Sequence, residues 1–247
     1  MTASGRPRPS ARPSGRRLWW TLGLLGALVV LTIATVVVLG GDDSNEADDP
    51  PATATLPEEG TVPDEELTPA LLPPVSALGP DWIETQREDE ATEAEPLEGE
   101  CQNFPIPEGW LIRSEQQRTQ ASAIVEALSV TAGIVADGVA VPSLDDEVVR
   151  GCLLDGLRAS LGEGVTAEIV EGEPLGPPPA GADVSHLRIV VTGEPPVGGT
   201  FDFVLVSRDR MVSLGLLTGI DPEAATPLSA VVEALDAPLQ AALPFLT

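Results

Sequence analysis

Leu18 to Leu39 reads LWWTLGLLGALVVLTIATVVVL, 22 residues without a charge. As a helix this stretch is about 33 Å long, the hydrocarbon thickness of a bilayer. The charges sort around it: five of the 13 basic residues precede it and all 39 acidic ones follow. Arg6, Arg8, Arg12, Arg16 and Arg17 stand before the span without an acid. Short Arg-rich segments stay cytoplasmic, so the N-terminus is expected inside and residues 42–247 outside. Trp19 and Trp20 lie at the cytoplasmic end of the span, where amphipathic rings settle among headgroups. A cleaved signal peptide would need an apolar region of about 7 to 15 residues and a small-x-small cleavage site. This run is longer, and Thr35-Val-Val-Val-Leu-Gly-Gly41 is a poor cleavage site. The expectation is an uncleaved single-pass anchor in the cell membrane. Within it, Gly23-x-x-x-Ala27 would let two helices approach closely and pair as a homodimer.

The part beyond the span carries eight Arg against 39 acids. Such a surface repels phosphate backbones, so no nucleic-acid partner is expected. The chain has no Lys and no Tyr and is rich in Ala, Gly, Pro, Val and Arg, the bias of a high-GC genome and, with this topology, of an actinobacterium. Its two cysteines, Cys101 and Cys152, both fall on the oxidising side, where a pair usually forms a disulfide. They lack the Cys-x-x-Cys spacing of a redox-active pair, so the expected bridge is structural. On the chain-entropy model, closing a loop of about 50 residues stabilises the fold by about 4 kcal/mol.

Composition divides the chain into four parts. Residues 1–17 are a basic cytoplasmic tail, too polar and Pro-rich to bury a core. Residues 18–40 are the span. Residues 41–66, with ten acids, no base and four prolines, read as an extended acidic linker. Its Asp-rich start does not match a calcium loop, because Ala47 and Thr53 occupy the places of the required Gly and Glu. Residues 67–247 have the composition of one globular domain.

The expected fold of that domain is α+β, an antiparallel sheet packed by helices. Thr68-Pro69 opens a short helix, and Asp81 to Arg87 alternates as a strand before an acidic loop to Glu100. Residues 111–131 fit strand or helix equally. Ser143 to Leu161 reads as a helix with Ser143 as its cap, acids in its first turn and a stripe at Val149, Leu153 and Leu157. Four β-runs follow at 165–171, 184–192, 200–207 and 211–218, joined by short turns that favour an antiparallel meander. In the second, Leu187, Ile189 and Val191 face one way and His186 and Arg188 the other. In the third, Phe201, Phe203 and Leu205 share a face while Val204 and Val206 are apolar too, as in a strand covered on both sides. A last helix, Pro222 to Leu243, turns Leu228, Val231, Val232 and Leu235 to the core.

Little catalytic chemistry is available. His186 is the only histidine, and its neighbour Ser185 points to the opposite face of a strand, so the two make no nucleophile–base couple. No nucleophile elbow, phosphate loop, zinc motif or dinucleotide fingerprint occurs. No catalytic, cofactor-binding or metal residue is assigned.

The order of features resembles the extracytoplasmic sensor-type domains of actinobacteria, such as the outer part of the PknH serine/threonine kinase. The Leu-Pro-rich opening helix, Trp82, Cys101 after an acidic loop and Cys152 in the helix Val148–Leu161 carry the likeness. So do Pro177-Pro-Pro-Ala-Gly-Ala-Asp183, leading into Val184 to Arg188, and the strand Phe201 to Arg208. The resemblance implies a sheet packed by helices with a ligand cleft. Two departures stand out: this chain can close one disulfide where the kinase-linked form has two, and it carries no kinase. The segment Pro105-Ile-Pro-Glu-Gly-Trp110 is also similar to the opening of the PsbP-like lipoproteins. The expected function is a non-catalytic, membrane-anchored ligand-binding or sensor-like module. Its partner would be a cell-envelope component or a neighbouring membrane protein. A structural envelope or divisome-type interaction module is the alternative, followed by an envelope hydrolase.

Overall fold

The computed structural model describes residues 62–92, 111–120, 123–141, 143–161, 164–172, 175–193, 198–219 and 226–246. The expected span, the tail and most of the linker lie outside them. Among the described residues no helix is long and apolar enough to cross a membrane.

The fold is an α+β arrangement around one seven-stranded antiparallel sheet. Its strands are β1 (Trp82–Thr92), β2 (Leu111–Gln120), β3 (Ala123–Ile134), β4 (Thr166–Val170), β5 (Asp183–Thr192), β6 (Gly198–Arg208) and β7 (Met211–Gly219). Their spatial order is β1-β2-β3-β7-β6-β5-β4. Two meanders, β1–β3 and β4–β7, are therefore joined where β3 pairs with β7, Val130 opposite Gly215. The helices are α1 (Asp64–Leu67), continued by a 3-10 turn over Thr68–Leu71, α2 (Glu147–Leu161) and α3 (Leu228–Ala242).

Strand alternation loads both faces of the sheet. Val204 and Val206 of β6, with Leu128 and Val130 of β3, pack under α3 and the α1 segment through Leu235, Leu239, Leu67 and Leu71. Phe201, Phe203 and Leu205, with Leu187, Ile189 and Val191 of β5, pack under Val149, Leu153 and Leu157 of α2. Each of those three α2 side chains is worth about 1.5–3 kcal/mol when fully buried. The double coverage of β6 and the α2 stripe are as the alternation predicts.

Several local expectations are corrected. The linker boundary comes earlier: Val62 is buried and its N–H donates to the Phe245 carbonyl, while Asp64 to Glu66 are helical. Thr68 does not open a helix as its N-cap; it closes α1 as the C-cap, and its hydroxyl donates to the Asp64 carbonyl four residues back. Residues 88–92, expected in an acidic loop, continue β1. Leu111–Gln120 and Ala123–Ile134 are two long strands, because each gains a full ladder on a neighbour and propensity yields to that pairing. Finally, α2 begins at Glu147, and the residue capping it is Asp146, whose carboxylate accepts from the Val148 N–H at 2.8 Å. Ser143 instead accepts from the Asp145 N–H in the preceding turn.

Candidate functional site

Two adjoining depressions lie between the loop that precedes β5 and the outer side of α3. One cavity of about 330 Å³ is bounded by Leu175, Pro177 and Pro179 on the loop and by Ser229, Val232, Glu233, Asp236, Ala237 and Gln240 on α3. A second, of about 270 Å³, adjoins it and has Val184 and His186 for its floor; Leu175, Pro177 and Val232 belong to both. Together they have the size and the mixed lining of a small-ligand groove.

The loop wall is shaped by its own composition. Gly176 and Gly181 both adopt positive φ, 78° each, where a Cβ would be strained, and they bracket three prolines. The Ala182 N–H donates to the Pro179 carbonyl and closes the turn into β5. One side chain then holds both walls. Arg208, at the end of β6, makes a two-pronged contact with Asp236 of α3 at 2.6 and 2.8 Å. Its remaining terminal nitrogen donates to the Ala180 carbonyl of the loop at 3.0 Å. Both partners of the ion pair have side chains only 6% exposed, so losing one would leave a buried, uncompensated charge, costing about 3–5 kcal/mol.

The floor is tied down by a second ionic group. On β5, His186 and Arg188 point to the α3 side of the sheet, as alternation requires. Asp202 lies directly across from Arg188 on β6. His186 Nε2 is 2.7 Å from Asp202 Oδ1, and Arg188 Nε and Nη2 donate to Oδ1 and Oδ2 at 2.7 and 3.1 Å. Burial by itself pushes the Asp202 carboxyl up. Hydrogen bonds and charge from His186 and Arg188 together outweigh that and hold it below the ordinary range. The backbone at Gly172 lies against the imidazole so closely that any Cβ there would overlap the ring. His186 is thus gripped by Asp202 on one edge and roofed by Gly172, with 9% of its side chain exposed.

Ser185 goes elsewhere. On the opposite face, its hydroxyl accepts from the Leu144 N–H at 2.9 Å and pins the turn before α2. No Ser–His couple forms. Of the two acids that line the groove, Asp236 is occupied by Arg208, so a paired-carboxylate mechanism has only Glu233 to work with. Among the described residues no cluster of three His, Cys, Asp or Glu side chains is placed to hold a metal ion. Cys152 is half-buried on α2; Cys101 lies outside the described residues.

The N-terminal end of α3 is anchored by a group that sequence reasoning missed. Glu126 of β3, with a side chain 1% exposed, pairs with Arg118 at 2.6 Å. It also accepts from the Thr226 N–H and hydroxyl, each at 2.6 Å. Asp202, Asp236 and Arg208 were missed as well, although a cleft between sheet and helices was expected from the resemblance. Their one sequence signal was a lone charge inside an otherwise apolar strand or helix.

No family model matches the chain, and no curated protein matches it. Among solved structures, an uncharacterized protein from Mycobacterium smegmatis is similar at 15% identity, covering 67% of this chain and 98% of that one, with a TM-score of 0.36. A likeness that slight carries no argument about what this chain does.

Proposed function

We propose that the protein is a non-catalytic, membrane-anchored module of the cell envelope that binds a ligand in the groove between the proline loop and α3. The observation carrying this reading is that Arg208 fixes both walls at once, to Ala180 on the loop and Asp236 on the helix. A cleft held open by a buried ion pair is preorganised, and preorganisation lowers the cost of binding. The floor supports binding over turnover, because His186 is committed to Asp202 and packed under Gly172. The uncharged span at Leu18–Leu39 supports the anchor, and the Arg-rich tail supports the outward placement of the domain. The resemblance to sensor-type domains agrees with this assignment.

The test is recovery of a ligand. Full-length protein is purified from its native envelope, and whatever copurifies is identified by mass spectrometry. The same is done with Ala237→Trp, which places an indole in the groove from an exposed helix position. A small molecule or peptide present on the wild type and absent from the variant is expected. Material retained equally by both proteins would remove the groove from the account. Turnover of an envelope ester, peptide or glycan that His186→Ala abolishes would move the protein to the enzymes.

A further inference from the structure

Among the described residues, the groove's lining contains no Arg and carries one carboxylate, Glu233, that forms no ion pair. Pro177, Pro178 and Pro179 put no N–H on the loop wall, because proline has none, and the side-chain donors of the lining are Ser229, Gln240 and His186. No Arg lines either cavity, and the chain has no Lys. Arg208, which reaches both walls, is neutralised by Asp236 in a buried two-pronged pair. That leaves Glu233, exposed on the rim, as the uncompensated charge of the lining.

We infer, resting on the groove reading above, that the ligand carries a cationic, N–H-donating head such as an amine or guanidinium on a small apolar body. An anion entering this groove would lose water and meet the Glu233 carboxylate, with no unneutralised Arg or Lys in the lining to offset it. A cation meets acceptors and an opposite charge, while Leu175, Pro177 and Val232 take the apolar part. The strongly negative chain reinforces the sign at longer range. Since Glu233 is exposed, its own pairing adds modestly, and rejection of the wrong charge supplies most of the discrimination.

Three probes sharing one ring and differing in the head separate these effects: benzylammonium, benzyl alcohol and benzoate. Each is titrated at pH 7 into full-length protein, purified in detergent, with labelled Val and Leu methyl groups; Leu175, Val184 and Val232 report the groove. Benzylammonium is expected to shift these methyls with affinity on the order of ten-fold above benzoate, and benzyl alcohol to fall between. Glu233→Gln, an exposed substitution with no packing to lose, should cut the benzylammonium affinity about three- to five-fold and leave benzyl alcohol unchanged. Benzoate or benzyl alcohol binding there as well as benzylammonium would overturn the charge assignment and leave the groove reading standing. Indifference of benzylammonium to Glu233→Gln would overturn it too. If no probe moves these methyls at millimolar concentration, the groove reading falls and the inference with it.

Discussion

Asp202 shows how much a single carboxylate organises here. With its side chain 5% exposed, it is shared by an imidazole and a guanidinium on the neighbouring strand. Its pKa is held below the ordinary range in the folded chain, against about 3.9 when unfolded. A carboxylate lowered in this way stabilises the fold above the unfolded pKa, and that stabilisation is lost as pH falls through the folded value. Asp202→Asn should therefore cost about 3 kcal/mol at pH 6, as for other broken buried pairs. The gap to wild type should shrink once the pH drops below about 4. Urea unfolding of both proteins from pH 6 down to pH 2.5 checks this; an equal gap at both ends would mean that the ionised carboxylate is not its source. Arg208 is the counterpart on the groove wall. Its hydrogen bonds to Asp236 raise its pKa further, so it stays charged throughout the same range.

At the scale of elements, α2 is the piece whose attachment leans on few residues. Its stripe of Val149, Leu153 and Leu157 packs on β5 and β6, and Arg158 donates twice to the Ala167 carbonyl of the edge strand β4. Cys152 lies beside that stripe on the same helix. A bridge to Cys101 would fasten α2 to the segment that leads into β2. We predict that alkylation without reductant labels neither cysteine. Replacing both by Ser should lower stability by about 2–5 kcal/mol, measured by denaturant unfolding. Two rapidly labelled thiols would show that helix packing alone holds α2.

For the whole molecule, the sheet works as a partition. Its α2 side carries an apolar core, whereas its α3 side combines a core with the ionic groups that build the groove. The described residues begin at Val62, whose N–H donates to the Phe245 carbonyl, so the first and last described segments of the domain lie side by side. The topology expected from Leu18–Leu39 can be checked directly. Protease added to intact spheroplasts should remove the protein from Asp42 onward and leave a small protected N-terminal fragment. A mature protein that has lost residues 1–39 would show that the span is a cleaved signal.

Much of the architecture was legible because it rests on local pattern. Alternation in β5 and β6 identified which side chains share a face, and spacing in α2 and α3 identified their buried stripes, since period two and period 3.6 each leave a direct trace in sequence. Residues 111–134 resisted the same reading. Ala and β-branched residues there satisfy both periods, and only pairing with β1 and β7 decides for strands. The residue pairs that build the groove were illegible for a related reason. Arg208 meets Asp236 and Ala180 at 28 residues' separation, and Glu126 meets Thr226 at 100. Sequence by itself determined the strand-and-helix class, the faces of the main elements and the sorting of charge around an uncharged stretch, all properties of neighbours along the chain. Which lone charges pair, where α3 comes to rest and what lines the groove were decided by the tertiary structure. Buried ions must find opposite charges in space, and their distance along the chain sets no rule for where those charges lie.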